Sequence, residues 1–393
     1  MYILKKHLDQ FKKMQQNKQI IVLIGVHRSG KTVLLEQLKT HLRRQGINNQ
    51  QIQLIHCQRF AHHGIHNQSL CQDIIQGLVQ GKRNYLFLDE LDTLTDIIPL
   101  LHRLLGLDKV TLVVTGANRR FLTRLAPLRD RCTIIPILPL SFVDCCAYQH
   151  LTINEHSLYH YLNYGGFPFV QSLHDQLSRD NYFDGIINTL IVNGFAYRSG
   201  LCNPYLIKQL AAFLATQVGT SVNISQTVVG LKHAGITTSN KTLHSYLNFL
   251  QEVLLFYPCY ELAHPTGPVR IKPTNVKYYP VDPGIQSLLA KQKSALSRSN
   301  LEALLFLELI RRGYQVYFNH HFSFIADRGP QRVYLQFAYS LSDQAAYDRI
   351  SASFKHLPSQ ARRLLIVVKR PNQLIQKNPE VPLISLLDWF QAD

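Results

Sequence analysis

Several things are scarce in this chain of 393 residues, and each scarcity narrows what it can be. No apolar run approaches the ~18 residues that a membrane-spanning helix needs. The charged start Met1-Tyr2-Ile3-Leu4-Lys5-Lys6 also lacks the apolar block of a secretory signal. The expectation is a cytoplasmic protein with no membrane partner. Acid is short as well: 25 Asp and Glu stand against 42 Lys and Arg, a formal net charge of +17. That balance favours an anionic partner such as nucleic acid, although the basic residues are scattered and form no polybasic tail. The seven cysteines, Cys57, Cys71, Cys132, Cys145, Cys146, Cys202 and Cys259, include no C-x-x-C pair and read as reduced, mostly packed thiols. His56, His62, His63 and His66 gather around Cys57, yet their spacing fits no zinc pattern.

What is present begins with length. At 393 residues the chain exceeds what one hydrophobic core organises, and an apolar content of 46% is ordinary for a globular protein, so two to four domains are expected. The apolar segment Ile20-Ile21-Val22-Leu23-Ile24 leads into Gly25-Val26-His27-Arg28-Ser29-Gly30-Lys31-Thr32. A helical pattern with Val33, Leu34, Leu35, Leu38 and Leu42 follows and ends near Gly46. The residues match G-x-x-x-x-G-K-[ST] in the strand, loop and helix context that the motif requires. Its glycines let backbone N–H groups curl around phosphates, Lys31 reaches the β and γ oxygens, and the Thr32 hydroxyl ligates Mg²⁺. The helix adds the positive end of its dipole.

Gln51-Ile52-Gln53-Leu54-Ile55-His56 reads as a second strand, and Asn84-Tyr85-Leu86-Phe87-Leu88-Asp89-Glu90 as a third that ends in two carboxylates. Asp89 would hold the Mg²⁺ water shell and Glu90 would polarise the attacking water. A further strand, Val110 to Val114, ends in Thr115-Gly116-Ala117-Asn118. Lying between the two motif strands, it would aim Asn118 or Thr115 at the γ-phosphate; turn chemistry is the plainer reading of the same residues. Arg131, after Leu128-Arg129-Asp130, could reach the γ-phosphate of a neighbouring copy as an arginine finger, which leaves a homo-oligomer open. No N-K-x-D signature stands at a suitable place, which favours ATP over GTP.

Gly25 to Thr32, Tyr85 to Glu90, Thr115 to Asn118 and Pro139-Leu140-Ser141-Phe142 together resemble the prokaryotic AAA-type ATPases joined to a C-terminal domain of unknown function. Tyr164-Gly165-Gly166-Phe167-Pro168 and Tyr278-Tyr279-Pro280-Val281-Asp282-Pro283-Gly284 resemble that family too. The likeness runs over nearly the whole chain and implies ATP binding, with hydrolysis, in an AAA+-like core. Two departures stand out. Ile55-His56-Cys57-Gln58-Arg59-Phe60 replaces an acidic stretch after the second strand. Leu190-Ile191-Val192-Asn193-Gly194 lacks the Asp of an Arg-Asp pair.

From Asp144 to Gly200 the pattern is helical, as a lid over nucleotide would be. Three helical faces follow, Leu206/Leu210/Phe213/Leu214, Val228/Val229/Leu231 and Leu243/Tyr246/Leu247/Leu250. Strand-like runs at Val253 to Tyr257 and Val276 to Tyr279 complete a winged helix-turn-helix pattern. Its DNA-contacting set would be Asn240, Lys241, His244 and Asn248 with Arg270 and Lys272 in the wing. A protein-packing role fits the same module, since one lysine on the third helix is thin.

The last segment reads as a helix from Ser297 to Arg312, strands at Gln315 to Phe318, Phe322 to Ala326 and Arg332 to Phe337, a helix from Ser342 to His356, and two final strands. That order resembles the restriction-endonuclease-like core. A nuclease site there needs a helix Glu, a strand Asp and an acid-x-Lys pair. Glu302 is present, but the other positions fall on Ser323, Gln336 and Ala338, while Asp327 reads as turn chemistry before Gly329-Pro330.

The expected fold class is therefore α/β: a P-loop, AAA+-like parallel sheet over residues 1–148, a helical lid over 149–200, a winged helix over 201–290 and a degenerate nuclease-like domain over 291–393. The expected function is an ATP- and Mg²⁺-dependent switch acting on DNA or on a protein partner. The competing classes are a protein-directed remodeller with no nucleic-acid role and a Mg-dependent nuclease.

Overall fold

The structure is a computed structural model that describes residues 11, 19–62, 67–195, 203–233, 235–291, 296–329, 331–369 and 381–392. It divides the chain into two units, residues 1–139 with 252–254, and residues 140–251 with 255–393.

In the first unit the apolar runs form β1 (Ile20–Ile24), β2 (Ile52–His56), β3 (Asn84–Asp89), β4 (Val110–Gly116) and β5 (Cys132–Pro136). All pair in parallel, in the order β2-β3-β4-β1-β5. A parallel sheet is covered on both faces, and accordingly every residue of β1 and β3 is buried. The crossovers carry α1 (Lys31–Arg44), α2 (Cys57–His62), α3 (Asn67–Gln76), α4 (Ile97–Leu105) and α5 (Arg119–Arg124). Leu34, Leu35, Leu38 and Leu42 recur at helical spacing on α1 and enter one core with Ile21, Leu23, Phe87 and Val113. Because β4 lies between β1 and β3, the ends of all three strands are neighbours at the edge where the chain leaves the sheet.

The second unit starts with α6 (Phe142–Gln149), α7 (Glu155–Tyr164) and α8 (Gln176–Phe195). The next elements are α9 (Pro204–Thr216), β6 (Ser221–Val222), α10 (Ile224–His233), α11 (Asn240–Glu252), β7 (Phe256–Leu262) and β8 (Ile271–Pro280). Then come α12 (Pro283–Ala290), α13 (Arg298–Arg311), β9 (Gln315–Phe318), β10 (Phe324–Arg328) and β11 (Gln331–Ser340). The chain finishes with α14 (Gln344–Ser351), β12 (Arg362–Lys369), β13 (Leu383–Ser385) and α15 (Leu386–Gln391). The eight strands make one sheet, ordered β13-β12-β11-β10-β9-β7-β8-β6. No break falls near residue 290, because β7 pairs with β9 through Tyr260 and Tyr317. β9, β10 and β11 form an antiparallel meander, and α14 carries the chain over to β12, which runs parallel to β11.

The two motifs Tyr164 to Pro168 and Tyr278 to Gly284 meet in this unit. Asp282, buried at the N-cap of α12, accepts from the N–H of Gly166 at 2.7 Å, Gly284 at 2.8 Å and Ile285 at 3.3 Å. A Cβ on Gly165 would stand 2.0 Å from Asp282 Oδ1, and one on Gly166 2.0 Å from the Leu140 carbonyl oxygen. Only two glycines in a row let backbone approach this closely. Leu140 N–H donates back to the Gly166 carbonyl at 2.7 Å. Asp282→Ala leaves three buried N–H groups without an acceptor and is expected to destabilise the second unit by about 3 kcal/mol. Urea unfolding followed by Trp389, the only tryptophan, reads that unit directly; an unchanged midpoint would remove the clamp from the stability account.

Among the described residues no helix is long and apolar enough to cross a membrane.

Candidate functional site

The glycine loop leaves β1 at Gly25, whose N–H donates to the Gly116 carbonyl at the end of β4 (3.2 Å). A Cβ at Gly25 would lie 2.0 Å from the Ile137 carbonyl oxygen, so the loop starts where only glycine fits. Gly30 caps α1 in the left-handed region at φ 103°, and no side chain caps that helix. The first N–H groups of α1 are thus left to an anion. Lys31 is 5% exposed, and its Nζ donates to the carbonyls of Gly25 (2.7 Å) and Val26 (2.9 Å), closing the loop on itself. Ser29 Oγ is buried there with no hydrogen-bond partner. An orphaned hydroxyl, a bare helix N-terminus and a buried ammonium make a donor set suited to phosphate oxygens.

Asp89, the last residue of β3, is held from three sides. Thr32 Oγ1 donates to its Oδ2 at 2.8 Å, Thr115 Oγ1 donates to its Oδ1 at 2.7 Å, and His56 Nδ1 lies 3.2 Å from Oδ2. Strand register explains the convergence: His56 faces Asp89 across β2 and β3, and Leu88 faces Val114 across β3 and β4. Thr32 and Asp89 offer adjacent hard oxygens, the ligand type that Mg²⁺ takes, so these residues fit that ion. Glu90 follows with left-handed backbone, φ 54° and ψ 44°. Its N–H donates to Thr115 Oγ1 at 2.7 Å, and its carboxylate lies 3.8 Å from His27 Nδ1.

Burial dominates the electrostatics. It lowers Lys31 to about 8 against the pull of Asp92, Asp89 and Glu90. Burial, then Lys31 and Arg28, lowers His27 to about 4, so this imidazole is neutral near pH 7. Glu90 is raised by burial and then by Asp89 and Asp92. Cys57 is pushed up to about 12, first by burial and then by the same acids, which makes it an inert thiol.

The loop residues Gly25 to Thr32 and the pair Asp89 and Glu90 come together as one site. Thr115 is fully buried within it. Asn118 stands at its margin, N-capping α5 through Oδ1, which accepts from Phe121 N–H at 2.9 Å, while its Nδ2 donates to Asp92 at 2.8 Å. Both ends of the amide are therefore engaged. Arg131 lies elsewhere: it directly precedes β5, whose first residue pairs with Ile20 at the start of β1. That is the sheet end opposite the glycine loop, about 15 Å away along the strand. Sequence pattern marks neither Asp92 nor His56 as a site residue, whereas His27 falls within the expected loop Gly25 to Thr32. A third acid in Asp89-Glu90-Leu91-Asp92 was the available signal, since a one-turn helix after a strand brings position i+3 back over the strand end.

In the second unit, Lys241, His244, Asn248 and Arg270 are exposed. Lys272 is not a free cation, because its Nζ donates to Glu261 at 2.7 Å. Glu302 is buried and accepts from Lys277 Nζ and Tyr279 OH, both at 2.8 Å. Ser323 and Gln336 bond each other (3.2 Å), and Asp327 lies in β10, not a turn, where Arg332 binds it bidentately. His63, His66 and Cys202 lie outside the described residues, among which no group of three His, Cys, Asp or Glu side chains could hold a metal.

Comparison with known proteins bears on both units. An uncharacterized protein of Haemophilus influenzae is 29% identical over 398 residues, covering 98% of this chain and 97% of its own. Among solved structures, AMPPCP-bound DnaA from Aquifex aeolicus is 13% identical, with 63% of this chain and 88% of that chain covered and a TM-score of 0.32. Drosophila ORC bound to AT-rich DNA and Cdc6 is 12% identical over 73% of this chain and 89% of that chain, with a TM-score of 0.25. The Hsp104:casein complex of S. cerevisiae is 13% identical over 40% of this chain and has a TM-score of 0.29; the match spans 29% of that longer chain. By family profile, residues 155–296 match a domain of unknown function, DUF8612, and residues 17–146 match the AAA domain.

Proposed function

We propose that the first unit binds Mg·ATP and hydrolyses it, with Gly25 to Thr32 as the Walker A loop and Asp89-Glu90 as the Walker B pair. The observation that carries this reading is the meeting of a buried Lys31 with a Thr32–Asp89 bond on one edge of a parallel sheet. In this reading the loop N–H groups, Ser29 and Lys31 hold the phosphates, Lys31 exchanging two carbonyl acceptors for phosphate oxygens. Thr32 and Asp89 hold Mg²⁺, which when bound neutralises phosphate charge. Glu90 takes a proton from the attacking water. Thr115 fixes the backbone of Glu90 and the orientation of Asp89 together. Titration with a fluorescent adenine nucleotide and phosphate-release kinetics test this; no binding in excess Mg²⁺ would retire it.

Lys31 gives the site a pH signature. Phosphate binds the ammonium form, and that form is lost as pH rises through about 8. Affinity is expected to be flat below that point and to fall by up to about tenfold per pH unit above it, with proton uptake on binding. Calorimetry in buffers of different ionisation enthalpy measures the uptake; a pH-independent affinity to pH 9.5 would contradict the role of Lys31.

Hydrolysis in this reading drives a change in the second unit, whose α9 to α11 with β6 to β8 follow winged-helix order. The charge of +17 with exposed Lys241, His244 and Arg270 supports DNA as the partner. The pairing of Lys272 with Glu261, and the exposure of Tyr205 (68%) and Val229 (55%), support a protein partner. ATP turnover with and without duplex DNA separates the two. Arg131 would act only in a second copy, since the sheet places it far from its own loop. A nuclease role has least support, because Glu302 is committed to Lys277 and Tyr279, and Ser323, Gln336 and Ala338 supply no second carboxylate and no lysine.

A further inference from the structure

Asp92 forms a set of bonds that the loop and the Asp89-Glu90 pair do not account for. It sits on the single 3-10 turn Leu91–Thr93 and is 8% exposed. Its Oδ2 accepts from Ala117 N–H at 2.9 Å and from Asn118 Nδ2 at 2.8 Å, the two residues that follow β4. Its carbonyl oxygen accepts from Arg124 Nη1 at 2.9 Å, and the other Arg124 amino group bonds the Leu94 carbonyl. Its Oδ1 is buried with no partner. A buried, unpaired carboxylate oxygen costs roughly 1–3 kcal/mol, so stability alone is a poor reason to keep an acid here.

We propose that Asp92 is a positioning residue for the hydrolysis described above: it locks the turn after β4 onto the turn after β3, so that Glu90, Thr115 and Asn118 keep fixed relative places. The inference rests on that reading of the site. Glu90 occupies a left-handed conformation that a non-glycine residue holds only when its surroundings impose it. One anchor lies on its N-terminal side, the bond from Glu90 N–H to Thr115. Asp92 is the anchor on the C-terminal side, two residues on, and Thr93 Oγ1, donating to the Glu90 carbonyl at 2.7 Å, tightens the turn between them. With the second anchor gone, the Glu90 carboxylate keeps its chemistry and loses its address. An error of about 1 Å in a reacting group lowers a rate by about a hundredfold.

The test compares kcat, Mg·ATP affinity and melting temperature in the full chain and its variants. Asp92→Ala removes the acceptor of both bonds, and kcat is expected to fall about a hundredfold while Kd stays within about threefold. Asp92→Asn keeps one oxygen for both donors and is expected to retain kcat within about fivefold of the parent. Should Asp92→Ala fail to fold, Asp92→Ser, too short to reach Ala117 N–H, is expected to show the same loss. An unchanged kcat in Asp92→Ala overturns the proposal. So does a fall in kcat matched by equal losses of affinity and melting temperature, or an Asp92→Asn as impaired as Asp92→Ala. A parent chain that binds no nucleotide overturns the underlying reading as well, whereas an active parent beside an unaffected Asp92→Ala overturns this inference alone.

Discussion

Lys31→Ala is expected to weaken Mg·ATP binding by two to three orders of magnitude, about 3–4 kcal/mol, with the fold intact. The size follows from where the ammonium sits. It is 5% exposed and already holds two backbone carbonyls at 2.7 and 2.9 Å, so it is positioned and largely dehydrated before any phosphate arrives. Charge-assisted bonds made from such a position contribute about 1.5–3 kcal/mol each, and the loss removes at least two. Alanine also leaves the phosphates facing Asp89, Glu90 and Asp92 with one cation fewer. The fold should survive, because the α1 core of Leu34, Leu35, Leu38 and Leu42 is untouched, although the freed carbonyls of the buried Gly25 and Val26 lower the melting temperature. Equilibrium titration with a fluorescent adenine nucleotide measures the change, and circular dichroism checks the fold. A folded variant with parental affinity would show that phosphate is not held by this loop.

The parts of this architecture that were legible in the sequence share one property: local pattern and tertiary role coincide. The leucines of α1 recur at helical spacing, the glycine loop carries a complete motif between an apolar run and that helix, and β3 declares its end with Asp89 and Glu90. Strand order was legible only by analogy, since nothing local states that β4 rather than β2 lies beside β1. The start of β7 differs from the sequence expectation for a physical reason. Val253-Leu254-Leu255 is apolar and buried like a strand, but Leu254 has φ 60°, and the strand begins at Phe256. Burial in a turn and burial in a strand leave the same mark on composition. The neighbours Gly329 and Pro330 predict a turn at Asp327, but the bidentate bond from Arg332 across β10 and β11 extends the hairpin past it.

Long-range partners left a fainter trace still. The Gly165-Gly166 turn and the Asp282 cap are 116 positions apart between the bonded residues, and each alone looks like ordinary loop chemistry. Their meeting explains why both motifs exist: the carboxylate needs donors that only bare backbone can bring so close. Sequence pattern makes Lys272 a wing cation, and its partner Glu261, 11 residues away on the other strand of the hairpin, leaves no local sign of the pairing. Candidate contact residues chosen by charge alone therefore overstate the basic surface, and the DNA reading rests on Lys241, His244 and Arg270.

Glu90→Gln is expected to separate binding from hydrolysis, leaving Kd for Mg·ATP within about threefold and lowering turnover by about a thousandfold, within the range typical of a lost general base. Glutamine keeps the shape and the left-handed backbone that Thr115 and Thr93 support, so the loop and Asp89 stay as they are. What is lost is the carboxylate's negative charge and, with it, the ability to accept a proton. The parent should show the complementary signature in its pH dependence. Burial, Asp89 and Asp92 raise the Glu90 carboxyl, so the base takes up its proton at a higher pH than an ordinary carboxylate does. Turnover in the parent is then expected to decline on the acid side from that raised value, and the residual turnover of Glu90→Gln is expected to lack that limb. A Glu90→Gln chain that hydrolyses ATP at the parental rate would move the base elsewhere. One that binds no nucleotide would make Glu90 part of the binding site instead.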